Sequence, residues 1–99
     1  MMPQQLLELW SIEQTTTGAM LWLELCWQMW RGRTAAQVVR EMRSRTGWTH
    51  GRIYGEMRAA LSPVLDADCE TLAALGLDVE DRTTPQLAAA VVRTMRQGR

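Results

Sequence analysis

Arginine is the residue type whose spacing in this chain most directly suggests chemistry. Seven arginines and only two glutamates lie between Arg31 and Arg58, although the whole chain has a formal net charge of zero. A guanidinium binds phosphates and carboxylates through paired hydrogen bonds, and it binds the O6/N7 edge of guanine in the same way. Because the local field governs the encounter with a charged partner, residues 31–58 are the first candidate for a binding surface, and we call them the basic segment.

The other charges are also sorted into blocks. Residues 59–81 carry six carboxylates and no basic side chain, and we call them the acidic segment. Residues 1–30 carry three glutamates and no arginine or lysine, and residues 82–99 are basic again. An open basic segment favours nucleic acid as the partner. A basic segment covered by the carboxylates of residues 66–70 favours a protein partner, and a solvated arginine face balanced within the molecule is the third alternative.

Catalytic and metal-binding patterns are missing from the sequence. His50 is the only histidine, there is no Cys-x-x-Cys spacing, and no phosphate-binding loop is visible. We therefore expect no enzyme activity, no cofactor and no metal site. Cys26 and Cys69 are expected to be two small buried thiols. The carboxylates of the acidic segment are expected to form a solvated helix start, namely Asp66, Asp68 and Glu70.

Length and composition predict one folded domain spanning residues 1–99. The chain is 46% apolar and 22% charged, which is typical of a globule with one modest core. The longest apolar stretch, Ala19 to Trp30, is too short for a membrane helix, which needs about 20 residues. No secretion signal is visible, so we expect a cytoplasmic protein without a membrane partner.

Helical periodicity dominates the chain and predicts an all-α fold, a compact bundle of five to six short helices. A first helix is expected from Pro3 to about Glu13, with Leu6, Leu9 and Trp10 on its inner side. Ser62-Pro63 is expected to end one helix and to start an acidic one that Gly76 terminates, with Leu77 folding back. The inner face of that acidic helix is predicted to contain Leu65, Cys69, Leu72 and Ala73. The last helix is predicted at residues 84–97.

A tryptophan-rich helix is predicted to begin near Thr17. Its one partly polar stripe consists of Thr17, Leu21, Glu24 and Gln28, and the remaining surface is apolar. Three tryptophans are hard to bury completely in so small a domain, namely Trp22, Trp27 and Trp30. An ordinary core helix and a homodimer or partner interface are the two alternatives for this surface.

Two short helices coincide with the basic segment. Ala35, Val38, Val39 and Met42 recur at helical spacing after the N-cap Thr34. Gly47 ends this helix, and Thr49 can cap the next one. The pair, residues 34–45 and 49–61, resembles the helix-turn-helix of DNA-binding regulators, including the small ones of phages and plasmids. The resemblance implies that the second helix enters the major groove while the first crosses the backbone.

The outward face of the second helix carries the predicted binding residues. Gly51, Gly55 and Ala59 recur every four residues, with Arg52 and Arg58 on either side, and small residues permit close approach. The predicted nucleic-acid site comprises Arg40, Arg43, Arg45, Thr49, Arg52, Gly55 and Arg58. Three neighbouring side chains are assigned structural roles: a partly buried His50, a Trp48 that plugs the helix pair, and a core Tyr54.

The leading hypothesis is a small helix-turn-helix-like regulator that binds double-stranded DNA, with a homodimer as an open alternative. The chain departs from the usual helix-turn-helix in two ways. The connection between Met42 and Thr49 is longer than the usual turn, and glycines in a reading helix leave few side chains to read bases.

The competing hypothesis is an inhibitor or adaptor that docks on a larger protein. Its predicted contact residues are Trp22, Trp27, Trp30, Gly51, Gly55 and Ala59.

Overall fold

The computed structural model describes residues 1–97, and every regular element in that range is an α-helix, which confirms the all-α prediction. The six helices form a globule with a radius of gyration of 12.7 Å. They are α1 (Pro3–Leu9), α2 (Thr17–Trp30), α3 (Ala35–Thr46), α4 (His50–Leu65), α5 (Cys69–Ala74) and α6 (Thr84–Gln97).

Local hydrogen bonds explain where the helices begin and end. The hydroxyls of Thr34 and Thr49 accept from the backbone N–H of Gln37 and Arg52, each at 3.2 Å, so both predicted N-caps are confirmed. Gly47 ends α3 with a left-handed φ of 74°. After α5, the backbone N–H of Leu77 donates to the carbonyl of Leu72 and the Leu77 side chain is buried, as predicted.

Helix α2 lies at the centre of the bundle and packs mainly against α4 and α6. The Trp22 side chain is completely buried, and its indole Nε1–H donates to the Thr84 carbonyl of α6 at 3.0 Å. This bond satisfies the one polar group of a buried tryptophan. The core around it includes Leu25, Cys26, Ile53, Met57, Leu61, Leu87 and Val91.

The closest approach between α2 and α4 occurs at Gly18. A Cβ atom at this position would collide with the backbone carbonyl of Glu56 and would touch the side chain of Ala60. Only a glycine permits this contact, which fixes how α4 lies on α2.

Proline does not end α4 as predicted. The helix continues through Ser62 and Pro63 to Leu65, because Val64 and Leu65 extend the buried stripe that contains Leu61. One missing backbone hydrogen bond is outweighed by the burial of two large side chains.

The acidic helix is consequently shorter than predicted. Asp66 is the C-cap of α4, and Asp68 is the N-cap of α5, where its carboxylate accepts from the N–H of Thr71 at 2.7 Å. Hydrogen bonding with the Thr71 side chain, and then with its backbone N–H, lowers the pKa of Asp68. Cys69 and Ala73 are exposed, which corrects their predicted inward position. Cys26 is buried as expected, and burial raises the pKa of its thiol well above the ordinary value.

The buried faces of α1 and α2 differ from those predicted. Helix α1 ends at Leu9 rather than near Glu13, and it buries Leu6 and Leu7 while Leu9 is 59% exposed. In α2, Leu21 of the predicted polar stripe is buried, and Met20 is 58% exposed. The helix is therefore rotated relative to the prediction, and part of its apolar surface faces solvent.

No helix within residues 1–97 is long and apolar enough to cross a membrane. In the same residues, no group of three or more histidine, cysteine, aspartate or glutamate side chains is arranged to hold a metal ion.

Candidate nucleic-acid interface

Helix α4 presents the face on which the binding residues were predicted. Its inner side is fixed by Ile53, Met57 and Leu61, all of which are completely buried. The opposite side carries Gly51, Gly55 and Ala59, and all three are exposed. Packing of the apolar stripe thus turns the stripe of small residues toward solvent.

The two glycines of this stripe are not required by the fold. A Cβ atom at Gly51 or Gly55 would have no atom within 4 Å, and neither residue has a positive φ. Glycine inside a helix costs about 1 kcal/mol relative to alanine. No contact within residues 1–97 offsets this cost, so the stripe provides room that this part of the fold does not use.

Arg52 and Arg58 flank the stripe on opposite sides. At about 100° per residue they lie about 120° apart around α4, and both are exposed. The guanidinium carbon of Arg52 lies 4.0 Å from the centroid of the Trp48 ring. Stacking on an indole orients the guanidinium while its N–H groups stay available to an acceptor at their edge.

The three arginines of α3 do not share one side of the helix. Arg45 forms an ion pair with Glu24 of α2, its Nη2 lying 3.0 Å from a carboxylate oxygen. Arg43 is two residues away and therefore lies about 160° around the helix from Arg45. The structure consequently separates Arg45 from Arg40 and Arg43, with which we had predicted it to act.

The acidic segment does not cover the basic segment. Among residues 1–97 the side-chain ion pairs are Arg33–Glu41 and Arg45–Glu24, and neither involves a carboxylate of residues 59–81. The hydrogen bonds from Arg33 lower the pKa of Glu41. The exposed arginines without an ion-pair partner in this part of the chain include Arg40, Arg43, Arg52 and Arg58.

The first turn of α4 is more open than predicted. His50 is exposed, and its ring lies 4.5 Å from the Tyr54 ring, so the prediction of a partly buried His50 is wrong. Tyr54 and Trp48 are half-buried against the core, and burial raises the pKa of Tyr54.

The tryptophans proposed as partner contacts are divided between core and surface. Trp22 is completely buried, so its side chain is not available to a partner and that assignment is corrected. Trp27 is half-buried and Trp30 is 45% exposed. Met20 and Leu23 lie on the same side of α2 as Trp27 and were not among the predicted contact residues. Their positions were a usable signal, because Met20, Leu23 and Trp27 follow one another at intervals of three and four residues.

Neither the protein-family models nor the curated proteins nor the solved structures contain a match to this chain.

Proposed function

We propose that this protein binds double-stranded DNA through the outward face of α4 and the arginines of α3, and that it acts as a regulator by occupying an operator. The observation that carries the proposal is an open stripe of small residues between two exposed arginines, Arg52 and Arg58, which have no ion-pair partner in residues 1–97. It supports DNA as the partner because it combines room for close approach with unneutralised positive charge.

The stripe permits the backbone of α4 to approach a surface closely. Gly51, Gly55 and Ala59 place no large side chain between the helix and a groove wall. The guanidiniums on either side can then bind phosphates, or one of them can bind the O6/N7 edge of a guanine. With so few long side chains on this face, Arg52 and Arg58 carry most of the contact.

The arginines of α3 contribute charge without reading bases. Arg40 and Arg43 are exposed and lack ion-pair partners in the described residues. In a helix-turn-helix the first helix crosses the phosphate backbone, and contacts of this kind set the register on the duplex. Arg45 is left out of the proposed contact set because Glu24 neutralises it.

The N-terminus of α4 provides a further phosphate contact. Free backbone amides of a first helical turn favour an anion, and the first turn of α4 is exposed at His50 and Gly51. The Thr49 hydroxyl accepts from the Arg52 N–H as the N-cap, and its own proton remains available to donate to a phosphate oxygen.

A second candidate is an inhibitor or adaptor that docks on a larger protein. The open stripe favours it too, because small residues at intervals of four also permit a helix to pack closely against α4. Electrostatics separate the two functions: binding to phosphates releases condensed counterions and weakens steeply with salt, whereas docking on a protein depends less on salt.

The experiment is a fluorescence anisotropy titration of a labelled mixed-sequence duplex at about 50 and 200 mM salt, the range over which phosphate contacts lose affinity. Binding that weakens steeply across this range supports DNA as the partner and justifies selecting a preferred sequence. No binding at the lower salt concentration contradicts the proposal and favours the protein-docking function.

A further inference from the structure

Helix α2 has an apolar stripe on the side that faces away from the core, and we call it the outer stripe. Met20 is 58% exposed and Trp30 is 45% exposed, with the half-buried Leu23 and Trp27 between them. The opposite side of the same helix contains the buried Trp22 and supplies the core. Adjacent exposed apolar side chains, unlike single scattered ones, are typical of interaction sites.

The four residues of the outer stripe follow the spacing of a helix–helix seam. Positions 20, 23, 27 and 30 are separated by three, four and three residues, as at the core positions of a coiled coil. The Trp27 and Trp30 rings pack edge to face, with their centroids 6.0 Å apart and their planes at 77°. The two rings thus form a preassembled aromatic ridge at one end of the stripe.

We propose that this stripe is the interface of a two-fold symmetric homodimer, in which the α2 helices of two copies pack antiparallel. The inference does not depend on DNA binding. A two-fold interface uses the same patch on both copies, so the stripe must be complementary to itself. In the antiparallel register centred on position 25, Met20 lies opposite Trp30 of the second copy and Leu23 lies opposite Trp27. Each large ring then meets a smaller apolar side chain, and no apolar position faces a charge.

Charge complementarity selects the second copy and the antiparallel direction. The N-terminal end of α2 is acidic. Glu13 is exposed in the connection that leads into this helix, where its carbonyl accepts from the hydroxyl of the N-cap Thr16, and the chain has no arginine or lysine before Arg31. The C-terminal end is basic, because Arg31 follows the stripe and Arg96 donates to the Trp30 carbonyl at 3.0 Å. An antiparallel pair places each acidic end against a basic end, whereas a parallel pair places like charges together.

The test is sedimentation equilibrium of the full chain from about 1 to 100 μM, a range that also detects weak, transient association. The wild-type mass should rise from 11.3 kDa toward twice that value. Met20→Glu/Trp30→Glu should remain monomeric with unchanged helicity by circular dichroism. The matched control is Leu9→Glu, since Leu9 is exposed to the same extent but lies on α1, and this variant should dimerise like wild type.

Charge reversal tests the orientation without changing the apolar stripe. Arg31→Glu should weaken the dimer, and adding Glu13→Arg to it should restore association. A wild-type protein that stays monomeric at the highest concentration would overturn the proposal and would leave the stripe to a different protein. Dimerisation of the Met20/Trp30 variant, or loss of the dimer in Leu9→Glu, would equally overturn it.

Discussion

Arg52, in the first turn of α4, stacks on Trp48 of the preceding connection, with its guanidinium carbon 4.0 Å from the ring centroid. Trp48 is itself half-buried against the core. The core therefore holds the indole, and the indole holds the arginine next to the open stripe of α4. An arginine restrained before binding loses less side-chain entropy when it meets a phosphate.

A double-mutant cycle should detect this stacking. Trp48→Leu and Arg52→Ala should show a coupling free energy of about 0.5–1 kcal/mol, the usual size of a cation–π interaction at an exposed site. The measurement is the free energy of unfolding in urea for the wild type, both single variants and the double variant. Additive effects of the two substitutions would mean that the stack contributes nothing to stability.

Removing the two arginines of α4 should abolish DNA binding without unfolding the protein. Arg52→Ala/Arg58→Ala should lower the slope of log affinity against log salt by about two where binding is still detectable, since each lost phosphate contact lowers the slope by about one. Helicity should stay unchanged because both side chains are exposed. The melting temperature should fall by only a few degrees, since the Arg52–Trp48 stack is the one stabilising contact described above that is lost.

The matched control for this double variant removes two positive charges that lie outside the proposed DNA-binding face. Arg33→Ala/Arg93→Ala eliminates one arginine that is paired with Glu41 and one on α6 that donates to the Asp78 carbonyl. This variant should retain DNA binding. Equal losses in the two double variants would show that net charge, rather than the α4 face, determines affinity.

Two glycines should respond in opposite directions to the same substitution. Gly18→Ala should lower the free energy of unfolding by about 1–3 kcal/mol, because its Cβ collides with the Glu56 carbonyl. Gly51→Ala should raise it by up to about 1 kcal/mol, because the position is open and alanine favours the helix. Urea unfolding of both variants is the measurement. Stabilisation by Gly18→Ala would contradict the close α2–α4 contact.

The two cysteines should differ sharply in reactivity. Cys69 is exposed, whereas Cys26 is buried and its pKa is raised, so little thiolate forms there. A chromogenic disulfide reagent should titrate one thiol in the native protein and two in urea. Cys69→Ser should have no reactive thiol in the native state, and Cys26→Ser should lower the melting temperature because it places a hydroxyl in the core. Rapid native reaction of the Cys69→Ser variant would show that Cys26 is accessible.

Features decided by local hydrogen bonding could be predicted from the sequence. Thr34 and Thr49 cap helices, and Gly47 adopts the left-handed conformation that ends α3, because each depends on neighbours within a few positions. The outward position of Gly51, Gly55 and Ala59 was also predictable, since one clear apolar stripe determines how α4 must face.

Other features could not be predicted because they depend on contacts between segments that are distant in the chain. Pro63 by itself predicts a helix boundary. Helix α4 nevertheless continues beyond it, because Val64 and Leu65 are buried in the core. Arg45 was predicted to act together with Arg40 and Arg43. In the structure it pairs with Glu24, which lies 21 positions earlier in the chain. Neither outcome can be inferred from the residues adjacent to the position concerned.

The sequence by itself determined the helical class, most helix boundaries and the segregation of charge, because these depend on local propensity, capping and composition. Only the tertiary structure decided which stripe of α2 enters the core. That helix is apolar on nearly every side, so its orientation follows from the surfaces that α4 and α6 offer it. The same packing leaves Met20 and Trp30 at the surface, where the proposed dimer interface lies.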